Sequence, residues 1–306
     1  MYSENIKKDS VLFLKAFLSN LLARFVPKLY VYLTCQTGRG NDEETSTQTA
    51  EYFIKCFSDY SDQLGLDKKK FCEFLNGIEV LEYGPGDILG VALMLYAYGA
   101  EKVTCVDKFP LVKMSTKNIQ VYLHLLNSLD QDVRARAENA FNINGKPESG
   151  FNKNIIHYKV TNNGLSREKG KYNFIISRAV LEHVDNLEET MLDIKHCMKD
   201  KGISIHKVDL KSHGLDRYSM FDFLTWPNVL YKLMYSHKGF PNRWRVDKYK
   251  EIAKRINLKI KKLNSTTMLE QEKIEIIYSK LAKDFKSISL EELSYQGFWV
   301  YFESVK

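Results

Sequence analysis

Cysteine is scarce and unpaired in this sequence. Cys35, Cys56, Cys72, Cys105 and Cys197 make an odd count, and no two are spaced as CxxC. That argues against a disulfide framework or a zinc knuckle and fits a reducing compartment. Basic blocks are lacking as well. Lys and Arg outnumber Asp and Glu by 45 − 38 = 7, but they are dispersed along the chain. Dispersed charge gives a mild preference for anionic partners without the footprint of a nucleic-acid binder. There is no internal repeat and no low-complexity linker. Long apolar runs are also missing. The nearest to one, Val11 to Leu33, is interrupted by Lys15, Arg24 and Lys28 and broken at Pro27. A membrane-spanning helix needs about 20 consecutive apolar residues. No small-residue cleavage site follows the segment either. The expectation is an amphipathic helix that packs on the domain or lids a pocket, with Phe13, Phe17 and Phe25 as apolar contacts. Interfacial membrane attachment is the alternative. The corresponding location is cytoplasmic, and membrane-peripheral in the alternative.

What is present is enough apolar material for a packed core. Apolar residues make up 44% of the 306 and charged residues 27%, a globular rather than disordered balance. Residues 1–76 read as helix, with a polar break from Gln36 to Gln48, and are expected to form an N-terminal helical cap. From 77 to 306, strand and helix patterns alternate. "IEVLEY", "KVTCVD", "IIHYKV", "YNFIISRA" and "GISIHKVDL" are the first five strands, and "LKIKKLNS" and "GFWVYFE" the last two. Between the first two lies "ILGVALMLYAYG", a buried helix expected to begin near Asp87 or Ile88. "NLEETMLDIKHCMKD" is a helix expected to stop at Gly202, and "VDKYKEIAKRIN" is another. An excursion at about 211–247 follows the fifth strand. Alternation of this kind calls for a mostly parallel sheet covered on both faces. Such sheets bind ligands at the carboxyl ends of their strands.

The stretch "VLEYGPGDILG" places Glu82 at a strand end and Gly84 and Gly86 in a tight turn, with Pro85 fixing part of it. Asp107 ends the next strand, where an acid can accept both hydroxyls of a ribose. Three ligands compete for this pattern. A dinucleotide wants G-x-G-x-x-G, and here the third glycine, Gly90, is one residue late. A P-loop lacks its Gly-Lys-Ser/Thr. A nucleoside carrying a charged amino-acid tail needs an acid at the strand end and no pyrophosphate cradle, and Glu82 is such an acid. A plain strand–helix turn with no ligand is the fourth reading.

These residues resemble a family. "VLEYGPGDILG…VTCVD" is similar to motif I and the second-strand acid of class I S-adenosylmethionine-dependent methyltransferases. "YNFIISRAVLEHVDNLEETMLDIKHCMKDKGISIH" is similar to the fourth-to-fifth-strand region of their small-molecule branch, type 11-like. Departures are Ile88 at the family's third glycine, Asn173 at the opening of the fourth strand, and "TNNG" after the third strand. The resemblance implies a Rossmann-like α/β fold: a seven-stranded, mostly parallel sheet with an antiparallel last strand, N-terminal helices and a helical insertion after the fifth strand. It implies S-adenosylmethionine as cofactor and S-adenosylhomocysteine as product. Glu82, Tyr83, Gly84, Pro85 and Gly86 would face the amino-acid part. Asp107, with Lys108 next to it, would take the ribose, Asn162 or Asn163 the adenine, and Ser177 and Arg178 would end beside the methyl group.

A general base suits an alcohol acceptor and is less needed for an amine. Candidates are His183 in "LEHVDN" and His206 and His213 in "HKVDLKSH". His183 could equally buttress the following helix. His206, Asp209 and His213 could form a facial metal site only if the strand ends before Asp209, and no metal is assigned. Asp209, Tyr218, Trp226, Tyr231, Trp244, Arg243 and Arg245 are candidate acceptor contacts, the arginines as forked donors to carboxylate or phosphate. Aromatics at helical spacing are otherwise packing. The favoured function is O-methylation of a small molecule or glycan, a sugar or sugar phosphate above all. The alternatives are N- or C-methylation of a natural-product intermediate and a non-catalytic methyltransferase-like binding module.

Overall fold

The computed structural model describes residues 2–34 and 44–304; most of the expected polar break at 36–48 lies outside the described residues. Seven strands form one sheet: β1 (Glu79–Tyr83), β2 (Lys102–Asp107), β3 (Ile156–Val160), β4 (Tyr172–Arg178), β5 (Met198–Asp209), β6 (Lys259–Met268) and β7 (Tyr295–Glu303). Their order is β3-β2-β1-β4-β5-β7-β6, with six strands parallel and β7 antiparallel. β1 lies between β2 and β4, so strand order reverses there, at the carboxyl ends of β1 and β4 where sheets of this kind bind ligands. The register pairs Tyr83 with Val106 on one side and with Ser177 on the other. β2 in turn pairs Asp107 with Val160 of β3. Every strand-end residue singled out in the sequence therefore lies along one edge.

Among the described residues there are twelve α-helices: α1 (Tyr2–Phe25), α2 (Pro27–Thr34), α3 (Ser46–Leu64), α4 (Lys68–Leu75), α5 (Gly90–Ala97), α6 (Thr116–Asn127), α7 (Gln131–Glu138), α8 (Leu187–Cys197), α9 (Asn228–Tyr235), α10 (Val246–Arg255), α11 (Gln271–Tyr278) and α12 (Leu290–Ser294). The chain divides into two compact units. The first comprises residues 1–35, 179–192 and 206–301, and the second residues 36–178, 193–205 and 302–306.

In the second unit, α3 opens with a capping box between Thr45 and Gln48, which satisfies two orphan amides at once. Its apolar stripe, Phe53, Cys56, Phe57 and Tyr60, is buried. Tyr60, Phe71 and Phe74 each meet Phe174 of β4 edge-on. α5 is buried along its whole length, as a helix apolar all round must be. It begins at Gly90 rather than at Asp87 or Ile88, because the preceding turn takes up the earlier residues. Gly84 and Gly86 have φ of +61° and +78°, the left-handed conformation that only glycine adopts without cost. α8 ends at Cys197 rather than Gly202, and β5 starts directly after it. Lys201, at φ +61°, lies inside β5.

In the first unit, Phe221, Phe223, Tyr231, Met234, Ile274, Ile277 and Leu293 form a core of their own, with Ala16 of α1. α1 is pinned to α9 and the segment after it. Asn20 donates to the Leu233 carbonyl (2.9 Å) and accepts from the His237 amide (2.9 Å). Lys238 donates to the Ala16 carbonyl (3.1 Å) and to Ser19 Oγ (2.9 Å).

Gly90 is where α3 and α5 touch. A Cβ built on it would lie 2.4 Å from Cγ of the buried Phe53 ring. Alanine gains about 1 kcal/mol in helix propensity over glycine, but overpacking of a fixed aromatic costs about 1–3 kcal/mol. Gly90→Ala is expected to lower unfolding stability. Chemical denaturation that finds the variant as stable as the parent would overturn the packing account.

Candidate functional site

Glu82 and Asp107 end β1 and β2 on the carboxyl edge of the sheet, and both are buried. Burial pushes the Glu82 carboxyl up to about 8. The Cys105 thiol, donating at 3.6 Å, opposes the rise, and the charge of Asp107 adds to it. Burial likewise raises Asp107 to about 6, against the pull of the Phe109 (3.0 Å), Lys108 and Gly86 amides. Neither acid makes an ion pair among the described residues. Two close carboxylates held dry without a counter-charge are costly in isolation. They suit a ligand that carries cations and hydroxyl donors.

The turn after β3 closes on the same place. The Thr161 amide donates to the Asp107 carbonyl at 3.0 Å, and an added Cβ on Gly164 would rest 3.5 Å from Lys108. Asn162 and Asn163 lie in the turn between those two contacts. Ser177 and Arg178 end β4 across from Tyr83. Ser177 is fully buried. Arg178 pairs with Asp59 at 2.7 Å and lies over the Tyr52 ring. The Tyr83 side chain turns away from that edge. Its hydroxyl donates to Asp193 at 2.6 Å, and the same carboxylate accepts the Ser166 (2.7 Å) and Arg167 (2.9 Å) amides. Only its backbone can belong to the turn.

Sequence reasoning missed what α3 contributes. Tyr52, Cys56, Asp59 and Tyr60 gather at the ends of β1 and β4, with Cys56 and Tyr60 close enough to Glu82 to feel its charge. The signal was the apolar stripe at helical spacing in residues 53–60, which needed something to cover.

In the first unit the three candidate histidines separate. His206 is completely buried in β5 and pushed down to about 3 by that burial. β5 runs on through Asp209, so the set His206, Asp209 and His213 is not brought together. His183 and His213 do meet, with ring centroids 4.8 Å apart and planes at 70°. Glu182, buried, joins them; Glu182, His183 and His213 each offer a donor atom within 4.8 Å of the others, the one such group among the described residues. Glu182 Oε1 accepts the Asp209 amide at 3.0 Å, while Oε2 has no partner. Its carboxyl is pushed up to about 8 by burial. Burial and the neighbouring His213 push His183 down to about 3, although the Gly239 and Phe240 backbone beside it favours the charged ring. Its buried Nδ1 makes no hydrogen bond.

The proposed acceptor contacts divide similarly. Arg243 gives its guanidinium to the Phe223 (3.3 Å) and Trp226 (2.7 Å) carbonyls and to Asn228 (3.2 Å), stacked on Tyr231. Arg245 donates to the carbonyls of Leu210 (2.8 Å), Leu293 (3.2 Å) and Tyr295 and lies over Phe221. Both arginines are buried, so neither fork faces outward for an anionic acceptor. Tyr231 is buried too, its hydroxyl on the Pro241 carbonyl at 2.7 Å. Trp226, beneath Arg217, and Trp244 are half-buried, and Tyr218 is exposed with its hydroxyl on Asp9.

A family model described as a methyltransferase domain matches residues 52–263. The chain belongs to that methyltransferase family. It is a class I S-adenosylmethionine-dependent methyltransferase, and the match begins inside α3. No curated protein matches the chain. Among solved structures it is similar to an S-adenosylmethionine-dependent methyltransferase from Mesorhizobium loti, with 13% identity over 75% of this chain and 92% of that one and a TM-score of 0.42. It is also similar to phosphoethanolamine N-methyltransferase 2 of Haemonchus contortus, with 18% identity over 76% of this chain and 49% of that one and a TM-score of 0.39. The residues fit the cofactor. S-adenosylmethionine carries the cationic groups and hydroxyl donors that two buried acids without a counter-charge call for.

The methyltransferase should show this in its pH dependence. Acids raised above their ordinary values keep protons in the folded state that the unfolded chain has released, so stability falls as pH rises toward about 8. His183 and His206 act oppositely, but only below the ordinary imidazole value of 6.5. Between pH 6.5 and 8 the acids set the slope, and Tm of the ligand-free enzyme is expected to fall. Glu82→Gln should flatten that fall and also flatten the tightening of cofactor binding over the same range. Parallel slopes in the two proteins would remove Glu82 from the account. Arg243→Ala or Arg245→Ala should cost about 3 kcal/mol of stability by orphaning buried carbonyls; denaturant curves that match the parent would return the arginines to ligand binding.

Proposed function

We propose that this methyltransferase methylates a hydroxyl of a small molecule or glycan, in the favoured case a sugar hydroxyl. Bound S-adenosylmethionine supplies a methyl group on a sulfonium leaving group. The chain has to hold that cofactor, align the acceptor and take its proton. Glu82 and the Tyr83–Gly86 turn hold the amino-acid end, Asp107 with Lys108 the ribose, and Asn162 or Asn163 the adenine. His183 receives the acceptor's proton, with His213 against it and the Gly239–Phe240 backbone ready to favour the charged ring. The observation that supports this reading is the meeting of His183 with His213 beside Glu182, their donor atoms all within 4.8 Å of one another. An amine acceptor that binds neutral has little need of such a group, which favours oxygen over nitrogen. The arginine pair lends no support to a phosphate on the acceptor, so a neutral sugar is preferred to a sugar phosphate. Of the aromatic candidates, Trp244 is half-buried, while Arg217 lies over the rings of Tyr218 and Trp226. The division into a helical cap (1–76) and a methyltransferase domain (77–306) with an insertion at about 211–247 is part of this proposal, the cap contributing through α3.

Turnover of hydroxyl-bearing and amine-bearing acceptors by His183→Gln tests the reading. The variant is expected to lose about 10²-fold or more in kcat on hydroxyls while cofactor affinity stays. Unchanged turnover, or a preference of the parent for amines, would favour N-methylation and leave His183 a structural residue. Loss of activity in chelator, restored by a divalent ion, would instead make Glu182, His183 and His213 metal ligands.

A further inference from the structure

α1 is fixed by one face and bare on the other. Its buried residues, Ala16, Asn20 and Ala23, face the first unit's core and its hydrogen bonds. On the opposite side Val11, Leu14, Leu18 and Phe25 are 54–70% exposed. Their spacing of three, four and seven places them on one helical stripe. α2 continues the apolar surface with exposed Leu29, Tyr32 and Leu33. Exposed large apolar residues in this number on one element call for a partner.

The charges around the stripe say which. From residue 7 to residue 34 the exposed charged side chains are Lys7, Lys8, Lys15, Arg24 and Lys28, all basic. The one acid in that range, Asp9, is half-buried and held by Arg217 at 2.9 Å. Arg24 lies over the Phe25 ring, an aromatic–cation pairing suited to a headgroup layer. A second copy docked by two-fold symmetry would set these cations against one another. An anionic bilayer would neutralise them while burying the stripe. No described helix is long and apolar enough to cross a membrane, so the helix would lie in the interface. We propose that α1 and α2 form a docking surface for anionic lipid bilayers.

Flotation of the full-length protein tests this with vesicles of phosphatidylcholine alone and of phosphatidylcholine mixed with phosphatidylglycerol. Binding is expected only to the mixture and should weaken with added salt. Leu14→Glu/Leu18→Glu and, separately, Lys8→Glu/Lys15→Glu should each lower partitioning about tenfold or more. All four side chains are exposed, and unchanged circular dichroism and cofactor affinity will show that the variants fold. Equal binding to neutral vesicles, or none to either, would overturn the proposal. So would a dimer in solution that the Leu14→Glu/Leu18→Glu variant abolishes, since the face would then be a self-interface.

Discussion

Two carboxylates held dry at the ends of neighbouring parallel strands set the electrostatics of one edge of the sheet. Glu82 and Asp107 cannot both be charged at low cost without a cation, and the sheet allows no other place for them. The βαβ connection carries the chain across β1 and β2 in parallel, so both strand ends open on the same edge. The glycine turn, the Asn162–Asn163 turn and α3 all close around that pair. Each removes water from it, and each removal raises the demand for a ligand that supplies positive charge.

Much of the fold was legible because its signals are local. Short apolar runs ending at Tyr83, Asp107, Val160 and Arg178 read as strands, and the alternation with helices set the sheet class. The strand-end acids and the glycine turn were readable for the same reason. The start of α5 was not. Pattern alone cannot separate an apolar turn from an apolar helix, and residues 87–89 are as buried as the helix that follows. The end of α8 was misplaced because β5 begins at Met198, directly after the helix, with no polar or glycine break between them to mark the change.

Long-range partnerships were the illegible part. Arg243 and Arg245 look like ligand-binding residues because arginine so often is. Their carbonyl partners at Leu210, Phe223, Trp226, Leu293 and Tyr295 leave no mark in sequence, since every residue has a carbonyl. Glu182 was passed over beside His183 for a related reason: its depth is decided by β5 and the loop beyond it. The late third glycine, Gly90, invited comparison with a nucleotide fingerprint, yet its job is to admit a phenylalanine ring from α3.

The attachment of α1 gives its bare side a particular mechanical character. Hydrogen bonds from Asn20 and Lys238, with the Asp9–Arg217 ion pair, tie the helix down at several points along its length. A surface that grips the stripe therefore grips the whole first unit as a keel is gripped, in one orientation. A helix on a slack tether would confine the enzyme to a neighbourhood. This one would dictate which way the first unit faces.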